Sequence, residues 1–226
     1  MQFDWQPLWL TLKLASVTTL ILLIIGIPIA YWLSVTRMRT KALFEALVGM
    51  PLVLPPSVLG FYLLLAFSPQ NGFGHFLQHT FQIQLLFSFA GLVVGSVIFS
   101  LPFMVQPVQA GFESLPAGLA EAAASLGKTR FQTLRQVLLP NIQPALISGI
   151  VLAFAHTLGE FGVVLMIGGN IPGQTRLASL AIYDQVESLN FAAAHRYALI
   201  LFVVSFAILL TVYLLNKGRV RALHEH

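Results

Sequence analysis

ALVGMPLVLPPSVLGFYLLLAFSPQNGFGHFLQHTFQIQLLFSFAGLVVGSVIFSLPFMVQPVQAGF, residues 46–112, contains no Asp, Glu, Lys or Arg. A charged side chain at the centre of a membrane helix costs about 2.5–3.5 kcal/mol on insertion scales, so a charge-free run of this length marks hydrocarbon. It has room for two spans of about 20 residues each plus a connector. Outside it, three further charge gaps each hold one span. The reading places spans at 14–35, 46–67, 85–106, 142–167 and 197–215, an odd number that puts the termini on opposite sides. With 57% hydrophobic and 9% charged residues, the chain is too apolar for a water-soluble domain. The fold class is all-α and membrane-embedded, a single transmembrane domain over residues 1–226 with a cytoplasmic loop at about 112–140. The first apolar stretch begins after Asp4 rather than a basic cluster and is too long for a signal peptide, so it reads as a retained helix. Cysteine is absent, which removes disulfides and thiolate metal sites.

The basic residues orient the spans. Arg37, Arg39 and Lys41 follow the first span; Lys128, Arg130 and Arg135 follow the third; Lys217, Arg219 and Arg221 follow the fifth. All lie on one side, and only Lys13, Arg176 and Arg196 lie on the other. An excess of Lys and Arg in short loops marks the cytoplasmic face, so the N-terminus is expected outside and the C-terminus inside. Basic groups separated by membrane spans cannot form one nucleic-acid groove, and nucleic acid is not an expected partner.

The loop at 112–140 reads as two short helices joined at a glycine. Ser114 is a candidate cap for the first helix, with Pro116 in its first turn, and Gly127 stands where a left-handed C-cap is needed. Thr129 and Gln132 have capping-box spacing for the second helix. Leu119, Ala122, Ala123 and Leu126 fall on one stripe, whose alanines allow another backbone to approach closely. Leu126-Gly127-Lys128-Thr129 ends like a phosphate-binding loop, but position 122 is Ala where that pattern needs Gly, and no strand precedes it. No nucleotide is therefore expected on this chain.

Glu121-Ala122-Ala123, then Gly127, then Val137-Leu138-Leu139-Pro140 resembles the cytoplasmic "EAA" loop of the permeases of ABC importers. The resemblance implies that Glu121, Ala122, Ala123, Gly127, Leu139 and Pro140 form the coupling element that fits a cleft in a separate ATPase subunit. ATP and Mg would then be bound by that subunit, and this chain would be a translocation subunit without catalytic residues or cofactors of its own. The implied fold is that of type I importer permeases, the MetI-like fold.

Candidate pathway residues come from proline breaks in two spans and from an ionisable group within a third. Pro55, Pro56 and Ser57 sit inside the second span, where proline removes a helix hydrogen bond and forces a bend or an opening. Freed backbone groups are tolerated at membrane depth only where protein or a water-filled cavity receives them. Ser96, Ser100, Pro102 and Pro107 repeat the idea in the third span, and packing alone is the competing role for these prolines. In the fourth span, His156, Gly159, Glu160 and Gly162 place an ionisable group between two glycines in an uncharged run. A carboxylate would repel a doubly charged anion, so the reading for Glu160 is a gate organiser, with His156 one turn earlier as a possible ion-pair partner. A satisfied structural carboxylate near the outer interface is the alternative.

Leu158-Gly159-Glu160-Phe161-Gly162, followed by Gly169-Asn170-Ile171-Pro172-Gly173-Gln174-Thr175, resembles the sulfate and molybdate branch of these permeases. Pro51-Leu52-Val53-Leu54-Pro55-Pro56 looks like its molybdate members. The resemblance covers nearly the whole chain. It implies a homodimer in a bacterial or archaeal cytoplasmic membrane, with two ATPase subunits inside and an external oxyanion-binding protein outside. Asn170, Pro172, Gly173, Thr175 and Arg176 would then lie on the binding-protein side. Arg176 has two functional readings, receiving the anion or touching the docked protein, beside the plain one of a solvated loop arginine. Molybdate is the leading substrate, with tungstate and sulfate as alternatives of the same shape and charge. His75 and His79 have helical metal-ligand spacing but no third ligand, and read as outer-interface residues rather than a metal site. Few residues follow the last span, so a C-terminal regulatory domain is not expected. A gradient-driven secondary transporter is the runner-up. It is disfavoured by the small size and the lack of an internal repeat, and an intramembrane hydrolase is disfavoured by the absence of HExxH and GxSxG motifs.

Overall fold

A computed structural model describes residues 3–224, with side chains through 211 and at 213. Lys217, Arg219 and Arg221 fall outside the described side chains. Every regular element among the described residues is helical: α1 Gln6–Val35, α2 Lys41–Val53, α3 Pro56–Phe67, α4 Gly72–Phe81, α5 Phe89–Glu113, α6 Gly118–Ser125, α7 Arg130–Thr133, a π-helical turn Leu134–Leu138, α8 Leu139–Asn141, α9 Gln143–Leu158, α10 Gly162–Gly168, α11 Ala178–Glu187 and α12 Phe191–His224.

α5 is the axis of the bundle. α1 runs parallel to it, since Lys13 lies over the Phe89 ring, Gly26 faces Met104, and Tyr31 meets Phe112. The α2–α3 pair runs antiparallel, matching Lys41 with Glu113, Gly49 with Gln106, and Leu63 with Gly95. α9 and α10 are also antiparallel, matching Ala145 with Gly111, Gly149 with Met104, His156 with Ser100, and Glu160 with Ser96. One end of the bundle therefore gathers α6, α7, α8 and the Arg37–Lys41 turn. The other gathers α4, α11 and the 168–177 loop. α12 leaves that second end beside α11 and packs along α9.

Three helices are long and apolar enough to cross a bilayer alone: Gln6–Val35, Phe89–Glu113 and Phe191–Thr211. The other two spans of the expected five exist only as bent pairs. The expected span at 46–67 is α2 followed by α3, bent by 111° where Leu54 turns extended ahead of Pro55 and Pro56. The expected span at 142–167 is α9 and α10 interrupted at Gly159–Phe161, and it enters from Arg130–Asn141 through an 81° bend. α1 starts before residue 14 because Lys13, which set the expected boundary, rests its ammonium 4.7 Å from the Phe89 ring centroid. α5 starts later than expected, at a cap where Ser88 Oγ accepts from the Gly91 amide, and extends to Glu113. Pro102 and Pro107 do not break it.

The interior has two apolar clusters with a polar waist between them. One cluster, around Leu14, Leu63, Leu92, Val163 and Ile167, fills the α4–α11 end; the other, around Leu22, Leu33, Met104, Val108 and Ala153, fills the opposite end. Thr18, Thr19, Ser96, Ser100, Thr157 and Glu160 are buried at the level between them. Without a hydrophobic drive between helices in lipid, small residues and polar bridges hold such packing together. At Gly60 an added Cβ would lie 2.9 Å from Met166 Cβ and 3.1 Å from Val163 Cα.

Gly60→Ala should therefore destabilise the purified protein by about 1–3 kcal/mol through overpacking. Gly118→Ala, where an added Cβ meets nothing within 4 Å, should not. Thermal unfolding in detergent distinguishes the two, and equal stability of both variants would contradict the α3–α10 contact.

Candidate functional site

The two helix breaks face each other at the polar waist. Pro56 opens α3, Gly162 opens α10, and a Cβ on Gly162 would sit 2.7 Å from Pro56 Cβ, so only glycine lets the breaks close on one another. Around this contact lies a cavity of about 640 Å³ whose wall includes Pro56, Ser57, His156, Gly159, Glu160 and Gly162. Six of the nine residues expected in the pathway line it. Pro55 adjoins it as the residue before α3. Ser100 and Pro102 are buried in α5; Ser100 acts by holding His156, whereas Pro102 lies among the packed residues.

His156 and Glu160 do not pair with each other, contrary to the sequence expectation. Each is one turn from the other on the fourth span and meets a serine one turn apart on α5. Ser96 Oγ donates to Glu160 Oε2 at 2.6 Å, and Ser100 Oγ lies 3.0 Å from His156 Nδ1. The register of two antiparallel helices wins over the i,i+4 proximity along one helix. The His156 ring also stacks on Phe103, with centroids 3.9 Å apart and planes 25° apart, and leans on Phe99. Glu160 is 3% exposed, and its Oε1 has no hydrogen-bond partner among the described residues. Its main-chain carbonyl accepts from Ser179 Oγ at 2.7 Å, which ties the break to α11. Tyr183 on the same helix packs its ring against Phe161; its hydroxyl donates to Glu187 Oε1, and that bond together with the carboxylate charge holds the phenol above its usual range.

The 168–177 loop is a knot held by its own bonds and by Asp184 of α11. Thr175 is fully buried, donating to the Gly168 carbonyl at 2.6 Å and accepting from the Ile171 amide at 2.9 Å. Asn170, at φ 54, donates to both Asp184 oxygens and accepts from Arg176 Nε. Arg176 also pairs with Asp184 of α11 at 3.4 Å, so its charge is engaged between the loop and that helix, unlike a solvated arginine. Pro172 and Gly173 form the exposed tip, with Gly173 at φ 77. Ser179 and Asp184 were not singled out from the sequence, and no local pattern marks them; for the pairs across α5 the one signal was that His156 and Glu160 repeat the spacing of Ser96 and Ser100. His75 and His79 stack on α4 with centroids 5.7 Å apart, among the exposed Phe73, Phe76 and Phe81.

At the opposite end, α6 follows the expected grammar except at its start. Ser114 does not cap it: Ser114 Oγ closes α5 on the Gly111 carbonyl, and α6 begins at Gly118. Gly127 adopts φ 79, donating its amide to Ala124 O, while the Lys128 amide returns to Ala123 O. Those two amides are spent on the helix end, not presented as a phosphate cradle. Thr129 and Gln132 form both bonds of a capping box. The expected stripe is split: Leu119 and Ala123 turn inward, whereas Glu121, Ala122 and Leu126 face outward, Leu126 being 81% exposed. Leu139 is half-buried and Pro140 exposed, in the short turn that leads into α9.

Residues 14–221 match the family described as "Binding-protein-dependent transport system inner membrane component". The chain is 47% identical to the molybdenum transport system permease protein ModB of Azotobacter vinelandii, over 94% of each chain. It is 35% identical to the sulfate transport system permease protein CysT of Salmonella typhimurium, over 96% of this chain and 82% of the relative. In fold it resembles the MetNI methionine ABC transporter in an inward-facing crystal form, with a TM-score of 0.72, 20% identity and 94% of both chains covered. A bacterial ABC transporter that imports the acidic polysaccharide alginate is similar with a TM-score of 0.77 at 18% identity, covering 94% of this chain and 78% of that one.

Ser96→Ala should cost about 1–3 kcal/mol by removing the one donor that a buried carboxyl has among the described residues. In a double-mutant cycle with Glu160→Gln, the two changes should couple by about 0.5 kcal/mol or more. Additive unfolding energies would contradict the Ser96–Glu160 bond.

Proposed function

This chain belongs to the family of binding-protein-dependent transport system inner membrane components, and from that membership we propose that it is the permease subunit of an ATP-driven importer for a tetrahedral oxyanion, molybdate in the first place. The observation that carries the substrate class is the 47% identity, end to end, with a molybdenum transport permease. The 35% identity with a sulfate permease favours sulfate as the second reading, since the two anions share shape and charge.

In this reading two copies pair in the cytoplasmic membrane, with the basic end of the bundle inside. Two ATPase subunits bind there and hydrolyse ATP, and an external oxyanion-binding protein docks over the α11 end. The outward-facing Glu121, Ala122 and Leu126 of α6, with Gly127 ending the helix, are the surface the ATPase grips. Support comes from the path leading away from α6. It packs on the π-helical turn, which continues through Leu139 and Pro140 into α9. α9 in turn carries His156 and Glu160 to the cavity. A push on α6 is therefore delivered along a covalently continuous path, bent by 81° where Arg130–Asn141 meets α9, to the break at Gly159. Glu160 organises that gate: its carboxyl holds α5 through Ser96 and its carbonyl holds α11 through Ser179, so moving α9 must strain or exchange both bonds. The knot of Asn170, Thr175 and Arg176 supplies a stiff platform beside the mouth, with Pro172 and Gly173 at its tip for the binding protein.

Co-reconstitution in proteoliposomes with an ATPase and an oxyanion-binding protein tests the proposal. Molybdate-loaded binding protein should stimulate ATP hydrolysis, and Ala122→Arg should lower that stimulation by at least about tenfold, as a charge planted in the centre of an interface does. Stimulation unaffected by Ala122→Arg would contradict the assignment of α6.

A further inference from the structure

We propose that the cavity at the facing helix breaks is an oxyanion subsite in which His156 is the anion-binding group, presenting Nε2–H to the substrate while Ser57 Oγ supplies a second donor. The proposal rests on the importer reading and adds to it the residue that meets the substrate inside the membrane.

Counting protons fixes the ring. Thr157 Oγ1 donates its only proton to the Ala153 carbonyl at 2.9 Å, so in its 3.0 Å contact with Ser100 it must accept. Ser100 then spends its only proton on Thr157 and must accept from the histidine, which places a proton on His156 Nδ1. Nε2 is left as the ring's one remaining polar atom, on a residue that lines the cavity together with Ser57. A neutral ring in this tautomer offers only a lone pair there. An imidazolium keeps the Ser100 bond and adds an Nε2–H donor, the charge-assisted kind that suits an oxyanion. The stack on Phe103 and the contact with Phe99 accept a cation on their ring faces, and a buried imidazolium needs a counter-ion, which the dianion provides.

Few charged groups compete. The cavity residues contributed by α3, α5 and α10, namely Pro56, Ser57, Phe99, Gly162, Leu165 and Met166, carry no titratable side chain. Glu160, on the histidine's own span, is the one other titratable residue in the cavity wall; it is 3% exposed and turns Oε2 to Ser96, and no ion pair joins it to His156 among the described residues. The Ser179 hydroxyl brought by α11 is spent on the Glu160 carbonyl. The step is a proton transfer from the aqueous medium to Nε2 as the anion enters, with an oxyanion oxygen accepting the new N–H; no covalent bond to the substrate forms.

The test uses the assembled importer in lipid nanodiscs with ¹⁵N-labelled histidine rings, titrated with sodium molybdate against sodium chloride at equal ionic strength. One histidine should move to imidazolium ring shifts with molybdate and not with chloride, and that signal should be missing from His156→Phe, which keeps the aromatic stack. In proteoliposomes His156→Phe should import molybdate at least about tenfold more slowly, and His156→Gln, which restores an N–H donor, should recover part of the rate. A response that persists in His156→Phe, or no histidine response to molybdate, overturns the proposal. Wild-type import matched by His156→Phe overturns this assignment alone, whereas a wild-type assembly inert to every oxyanion overturns the importer reading with it.

Discussion

Every main-chain amide and carbonyl inside hydrocarbon must find a partner within the protein, and this constraint shapes the chain more than any single contact. A continuous helix meets it by itself, as α1 and α5 do. Two spans do not, and their breaks survive because each is closed locally. Before the first, the Leu54 amide returns to Met50; after it, the Val58 and Leu59 amides return to Pro55. At the second, the Gly159 and Glu160 amides return to Ala155 and Thr157, and Ser179 takes up the Glu160 carbonyl. Pressing Gly162 against Pro56 then lets each break cover the other.

The same economy explains the polar waist. Serines and threonines on α1, α5 and α9 sit where the two apolar clusters end, and most bond either to a main-chain carbonyl or to a polar partner across the helix interface. Thr11 shows the pattern twice, donating to the Pro7 carbonyl and accepting from the Ala178 amide, which anchors α11 to α1. Such bridges are modest individually, about 0.6 kcal/mol on average in membrane helices. They fix register, and register decides which side chains reach the cavity. A one-turn slip of α9 would present Glu160 to Ser100 and leave His156 without a hydroxyl.

Much of this was legible in the sequence. The charge gaps located the apolar segments, three of them single helices long enough to cross a bilayer and two of them bent pairs, because a charge is costly at that depth whatever the tertiary structure. Gly127 and the Thr129–Gln132 pair gave away the turn between α6 and α7, since capping is a local interaction with local grammar. The prolines at 55 and 56 marked the first break, whereas the glycines at 159 and 162 stood out only as the flanks of Glu160, in a span expected to run unbroken from 142 to 167. What stayed hidden depends on partners distant in sequence. The 111° bend is set by where α3 packs on α10. The pairing of Glu160 with Ser96 rather than His156 follows from antiparallel register, and the engagement of Arg176 by Asp184 needs α11 folded back over the loop. Ser114 misled because a serine just past one helix and just before another serves either, and it closes α5.

The account stands on one arrangement: α6 and α7 inside the cell, the 168–177 loop outside, with the broken spans between them. The chain has no cysteine, so single-cysteine variants need no altered background. Lys128→Cys and Gln174→Cys, each treated in intact cells with a membrane-impermeant maleimide, measure it directly. The account predicts that position 174 labels at once and position 128 only after the membrane is opened; labelling of 128 from outside would contradict it.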